Sequence, residues 1–197
     1  MKKKLTLRQA QAIRTKKKIY NVAIELMDKK GFEKTTIEEI SKKAGVSVGA
    51  FYHYYKSKNA IFFEVYKVHD EYFKNEVAQQ LTQENSFDQI ITFFKFYGRY
   101  DNNKGLDFIR QLYNTQNKFF IDHRRYMYDL LERIIINGQK KNEIIMDMTA
   151  ENISDYFLIM ARGIVYDWCL HEASYDLAEM MEKQLRLLSV LFKTQKV

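Results

Sequence analysis

The sequence predicts an all-α fold on three observations. Its 197 residues include no proline and only 7 glycines, apolar side chains recur at three- to four-residue spacing, and capping residues stand where the periodic stretches begin and end. With 46% hydrophobic side chains the chain has the material for a core, which excludes a disordered or collagen-like protein. The single cysteine, Cys169, cannot make an intramolecular disulfide, no run of 18 apolar residues occurs, and no apolar segment follows the basic start Lys2-Lys3-Lys4. The expectation is a soluble cytoplasmic protein without a membrane partner.

The elements follow in order. Leu7 to Lys30 is helix-compatible, with Tyr20, Ala23, Ile24 and Met27 as its buried stripe and Gly31 placed to end it in a left-handed conformation. Thr36-Ile37-Glu38-Glu39 has the form of a capping box, predicting a short helix from Ile37 to Ala44. Gly45 stands at the C′ position, and Ser47 caps a brief third helix that starts at Val48. Ser57 offers the next cap, ahead of a long amphipathic helix carrying Ile61, Phe62, Val65, Tyr66, Tyr72, Phe73, Val77 and Leu81. Further helices are predicted over Phe87 to Tyr100, Leu106 to Tyr113, Phe119 to Lys140, Ala150 to His171 and Leu177 to Lys193, about nine in all. Stretches rich in Asn, Asp, Gly, Thr or Ser separate them: Asp101 to Gly105, Asn114 to Asn117, Asn142 to Thr149 and Glu172 to Asp176.

Charge is divided unequally. Residues 1–60 hold 15 Lys and Arg against 5 Asp and Glu, whereas residues 61–197 hold 17 against 20. A concentrated positive potential at one end suits a polyanionic partner such as nucleic acid. Two short helices joined by a tight glycine turn form a helix-turn-helix, whose second member fits the major groove of B-form DNA. Val48, Gly49 and Ala50 open that helix with small side chains, which lets its backbone sit deep and brings Val48 or Ala50 to a thymine methyl. The hydroxyls of Thr36 and Ser47 are caps first and phosphate ligands second, and Lys58, expected in the first turn of the fourth helix, is placed to neutralise a phosphate.

The string Ala44 to Phe62, AGVSVGAFYHYYKSKNAIF, together with Gly31-Phe32, Thr35-Thr36 and Ile40-Ser41, resembles the DNA-binding signature of the TetR/AcrR family of bacterial transcription regulators over about residues 14–62. The resemblance implies that Tyr52 and His53 face DNA, with Phe51 and Tyr54 read as core. It implies a helix-turn-helix DNA-binding domain at 1–56 and a helical effector-binding and dimerisation domain at 57–197. In such proteins the last two long helices form a four-helix bundle with those of a second copy. The expected interface residues are Ile153, Phe157, Met160 and Ile164, then Met181, Leu185, Leu188 and Phe192. An aromatic-rich middle region suggests an effector pocket from Phe94, Tyr97, Phe108, Tyr113, Phe120, Met127 and Trp168.

The resulting expectation is a homodimeric repressor that binds a pseudo-palindromic double-stranded operator and is released by an unidentified small-molecule effector. The alternative is a constitutive or architectural DNA-binding protein without an effector. An enzyme is disfavoured. His53, His69, His123 and His171 are scattered, Cys169 has no evident neighbouring base, and there is no metal-ligand spacing, phosphate loop or dinucleotide fingerprint, so no catalytic residue, metal or cofactor is assigned.

Overall fold

A computed structural model of the chain describes residues 6–113, 120 and 125–194. Lys2, Lys3, Lys4, Phe119, His123 and the expected break at Asn114 to Asn117 lie outside the described residues. Among those described the fold is all-helical, with one isolated antiparallel bridge between Ile144 and Lys193. The chain divides into two compact units, residues 1–67 and 68–197.

The first unit contains α1 (Leu7–Lys30), α2 (Ile37–Ala44), α3 (Val48–Tyr54) and the beginning of α4 (Ala60–Tyr72). Each start has a local cause. Thr6 and Gln9 form a capping box for α1, Thr36 and Glu39 one for α2, and Ser47 accepts from the Ala50 amide at 3.1 Å ahead of α3. Gly45 is left-handed (φ 66°, ψ 39°), as its C′ position demands. Gly31 also has a positive φ of 83°, but its ψ of 158° takes it out of the left-handed helical region expected for it. The Thr35 hydroxyl donates to the Gly31 carbonyl at 2.8 Å and fixes that turn. Ile19, Tyr20, Ala23 and Met27 of α1 are buried in the core, as are Ile40 and Ala44 of α2, Phe51 of α3, and Ile61 and Val65 of α4.

The division between the two compact units falls inside α4, after Lys67. The first turns of α4 are committed to the first unit by Ile61 and Val65 and by a 2.6 Å ion pair from Lys16 to Glu64. The same helix continues past Tyr72 through a π-helical turn, Phe73–Val77, into Ala78–Gln80.

The second unit adds α5 (Ser86–Lys104), α6 (Leu106–Leu112), α7 (Tyr126–Lys140), α8 (Ala150–Leu170) and α9 (Leu177–Ser189), the last ending in a 3₁₀ turn, Val190–Phe192. Gly98 sets how closely α5 and α9 approach, since a Cβ there would stand 2.9 Å from the Ala178 Cα. Three boundaries differ from expectation. Asp101 to Lys104 are helical despite their loop-like composition, because Asp101 is buried and the helix ends only at Gly105 (φ 84°). Arg125 is extended (φ −82°, ψ 143°), so α7 starts at Tyr126, later than the expected helix start. The α-helical part of α9 stops at Ser189. Beyond it the chain pairs with the loop after α7, where Ile145 donates to the Phe192 carbonyl at 3.0 Å and Thr194 to that of Glu143 at 3.1 Å.

Burial within one chain is uneven among the expected dimer residues. Ile153, Phe157, Ile164, Met181, Leu185 and Phe192 are buried within one chain, Phe157 packing on Phe94 and Phe192 at ring-centroid distances of 6.0 and 5.5 Å. The apolar stripes are wider than one contact requires, and the chain's own core takes this part of them. Leu188 is half-buried and Met160 is 40% exposed. The pocket residues are redistributed likewise. Phe94, Tyr97, Phe108, Met127 and Trp168 are buried, Trp168 donating its indole N–H to the Tyr175 carbonyl at 3.0 Å, while Tyr113 and Phe120 are half-buried with ring centroids 4.5 Å apart.

Candidate DNA interface

The helix-turn-helix is positioned by contacts behind it. Phe51 is fully buried, its ring centroid 5.9 Å from that of Tyr55, and Tyr55 is itself buried with its hydroxyl donating to the Lys16 carbonyl at 3.3 Å. Burial and the nearby Glu64 carboxylate raise the Tyr55 phenol above its ordinary range, so it stays protonated and keeps that hydrogen bond. With Phe51 facing inward, helical geometry turns Val48, Gly49, Tyr52 and His53 outward, and all four are exposed; Ala50 and Tyr54 are half-buried.

Gly49 is informative because nothing inside the head requires it. Its φ is not in the positive range, and a Cβ added there would meet only the Ser47 Oγ, at 3.9 Å. A glycine inside a helix costs about 1 kcal/mol relative to alanine, so its benefit is not in the packing of this unit.

Thr36 and Ser47 are exposed caps, their oxygens accepting from the Glu39 and Ala50 amides at 3.3 and 3.1 Å. Lys58 departs from expectation. It precedes α4 instead of lying in its first turn, and its ammonium donates to the Phe32 carbonyl at 2.6 Å and the Thr35 carbonyl at 2.9 Å while standing 4.0 Å from the Phe32 ring centroid. Two of its three donors thus clamp the α1–α2 turn, leaving one N–H for a phosphate. Lys58→Ala is expected to lower the stability of the protein by about 1–3 kcal/mol, because two part-buried carbonyls lose their donor. Thermal or urea unfolding checks it, and a variant as stable as the parent would remove the clamp.

The basic charge of the head is partly neutralised. Lys29 and Lys43 both pair with Glu25, and Lys30 pairs with Glu39, which holds both carboxyls below the usual carboxylate range, Glu25 at about 2. Arg14, Lys17, Lys18, Lys42 and Lys56 have no acidic partner within 4.0 Å among the described residues and are exposed or nearly so. Lys18 was not singled out from sequence, yet its Nζ lies 3.5 Å from where a Gly45 Cβ would stand, beside the turn between α2 and α3. That proximity spans 27 positions and leaves no trace in local spacing.

The second unit carries a cleft of about 210 Å³ lined by Arg110, Tyr113, Tyr166, Cys169, Leu170 and Glu172. Of the expected pocket residues it takes Tyr113. The Tyr113 hydroxyl contacts that of Tyr97 at 2.7 Å and donates to buried Asp101 at 3.4 Å. Burial pushes the Asp101 carboxyl up to about 7, against the opposing pull of that hydrogen bond. The folded protein therefore binds the proton more tightly than the unfolded chain, and stability falls as pH rises from about 4 to about 7. Asp101→Asn is expected to flatten this part of the stability profile and to raise stability at pH 8 by a few kcal/mol at most. An unchanged profile in urea titrations would show that Asp101 is ionised at little cost.

These features define a chain with a helix-turn-helix head and a larger helical unit. Residues 19–65 match the family model described as bacterial regulatory proteins, tetR family. The chain is 26% identical over 186 residues to the Transposon Tn10 TetC protein of Escherichia coli, covering 89% of this chain and 88% of that one. It is 21% identical over 179 residues to the fatty acid metabolism regulator protein of Bacillus subtilis (strain 168), covering 86% and 91%. Among solved structures, the Thermus thermophilus FadR, a TetR-family repressor in complex with lauroyl-CoA, superposes with a TM-score of 0.71 at 24% identity over 92% of this chain and 97% of that one, a likeness of fold. The likeness of sequence to the tetR-family model thus lies in the head, over residues 19–65, and the chain as a whole shares a fold with the regulators named above. No helix among the described residues is long and apolar enough to cross a membrane.

Proposed function

We propose that two copies of this chain bind a pseudo-palindromic DNA operator as a repressor and that a small molecule held in the second unit releases them. The observation that carries the DNA-binding reading is Gly49, exposed at the start of α3 among Val48, Tyr52 and His53, with no packing partner to account for it. Its lack of a side chain suits close approach to base edges, Tyr52 and His53 supply phosphate or base contacts, and Thr36, Ser47 and Lys58 supply phosphate contacts at the rim.

Dimerisation is supported by exposed apolar side chains on two adjacent helices. On α8, Tyr156, Ile159, Met160, Tyr166 and Leu170 follow helical spacing along one side, with exposed Gly163 between them. After and along α9, Leu187, Val190 and Leu191 are 65%, 59% and 71% exposed, and the Tyr156 and Phe192 rings, 5.7 Å apart, bring the two stripes together. Such a contiguous apolar face on a soluble chain marks a protein interface. Effector release is supported by the cleft in the second unit and by neighbours of this fold whose structures contain lauroyl-CoA or stearoyl-CoA. An effector that prefers one dimer conformation over another shifts the population away from the one matched to DNA. Helix α4, which belongs to both units along the chain, is the element through which that shift would pass.

Selection of bound duplexes from a random library tests the reading. Enrichment of a two-fold symmetric site with half-sites about 34–36 Å apart is the expected result. Enrichment of a single asymmetric half-site, or of nothing, would overturn it.

A further inference from the structure

His69 of α4 is only 6% exposed and lies among Phe73, Tyr97 and Tyr100, at ring-centroid distances of 4.8, 5.4 and 4.6 Å. Its Nδ1 is 3.1 Å from Nη2 of Arg125, which also forms a 3.1 Å ion pair with Asp70. A guanidinium has hydrogen bonds to give and none to receive. Nδ1 must therefore be the acceptor, and the proton of the neutral ring resides on Nε2. The ring is neutral because burial, reinforced by the charges of Arg125 and Lys104, holds its pKa well below the ordinary value. The Nε2–H is thus a buried donor, and it has no acceptor among the described residues. Native interiors seldom leave such a group unmatched.

The surroundings restrict what can match it. Tyr97 packs edge-on against His69, its hydroxyl meets that of Tyr113, and Tyr113 is also a wall of the cleft. Histidine and cleft are two ends of one aromatic, hydrogen-bonded tract. Two of its cations are paired with carboxylates: Arg125 with Asp70, and Arg110 at the cleft with Glu172 at 2.5 Å. Asp101, buried beside the same tyrosines, resists a further negative charge.

We propose that the Nε2–H of His69 is the donor of a ligand site for an uncharged aromatic molecule carrying a carbonyl, ether or hydroxyl oxygen, reached through the cleft at Tyr113. This rests on the reading of the second unit as a sensor. It separates the ligand from the anionic and cationic molecules that charge-bearing pockets select.

The test uses the full-length protein and three probes of one size: acetophenone, ethylbenzene and benzoate. Acetophenone is expected to bind roughly five- to tenfold more tightly than ethylbenzene, the gain of one hydrogen bond to a buried donor, with benzoate weakest. His69→Phe should erase the ketone preference while keeping ethylbenzene affinity, and His69→Gln, which retains a donor, should restore part of it. Independently of any variant, histidine-labelled protein should show His69 protonated at Nε2 and bare at Nδ1, with the Nε2–H resonance shifting on addition of acetophenone. Equal affinity for ketone and hydrocarbon, tightest binding of benzoate, binding of none of the probes, a preference that survives His69→Phe, or a proton on Nδ1 would each overturn the site. Operator binding of the unliganded protein is measured alongside. If operator binding persists without a ketone preference, the His69 site alone fails; if the preference is seen without operator binding, the regulator reading fails.

Discussion

Gly49→Leu is expected to abolish specific operator binding while leaving the protein folded and no less stable. The two halves of this expectation have separate causes. Within the head a side chain at position 49 meets only the Ser47 Oγ at 3.9 Å, so it extends into solvent without strain. Exchanging glycine for leucine inside α3 favours the helix by about 0.5–1 kcal/mol, so the melting temperature should hold or rise slightly. On the DNA side the leucine stands between Val48 and Tyr52 and keeps the helix backbone from base edges. Losing one or two base contacts in each half-site, at about 1–3 kcal/mol per base pair, predicts a loss on the order of 100-fold or more in gel-shift or anisotropy titrations. Gly49→Ala should show the same opposition of signs on a smaller scale. Because most substitutions destabilise a protein and residues kept for function are the exception, a gain in stability with a loss of binding marks Gly49 as a site of external approach. Wild-type operator affinity in Gly49→Leu would place the groove contact elsewhere.

The head was legible in the sequence because the interactions that shape it are local. Thr36 and Glu39, Gly45 and the carbonyls of Ser41 and Lys42, and Ser47 and Ala50 all lie within four residues of one another, where spacing and residue type suffice. The clamp that Lys58 places on the carbonyls of Phe32 and Thr35 leaves no mark in the sequence because those acceptors are 26 and 23 residues away. The same limit hides the polar interior of the second unit: His69 and Arg125 are 56 positions apart, and neither belongs to a spacing that predicts the other. In α8 and α9, periodicity identifies an apolar stripe but not which edge the chain covers with its own core. Phe157 and Met160 belong to one stripe by sequence, yet Phe157 is sealed behind Phe94 and Phe192 while Met160 reaches solvent. Asp101 to Lys104 show composition overruled by packing, since a buried carboxyl continues the helix where Asn and Asp alone suggest a break.

Placing charges on the outer edge of those stripes gives the second large effect. Ile159→Glu combined with Leu191→Glu is expected to turn the proposed dimer into a folded monomer that no longer holds the proposed operator. Both side chains are mostly exposed in the single chain, at 60% and 71%, so the substitutions remove little intramolecular packing and should alter monomer stability by about 0.5 kcal/mol or less each. Across a two-fold interface each substitution appears twice, burying four carboxylates against apolar surface, a cost of several kcal/mol that association cannot recover. A monomer grips one half-site only. The second half-site contributes through effective concentration, so operator affinity should fall by roughly 10²–10⁴-fold, with sedimentation showing one chain at micromolar protein. Phe157→Ala is the contrasting control. Its ring lies in the core of one chain, so it should cost about 3–5 kcal/mol in unfolding before any effect on association is read. A doubly charged variant that stays dimeric would move the interface off α8 and α9, and one that is monomeric yet binds the full operator as the parent does would show that the two half-sites are read independently.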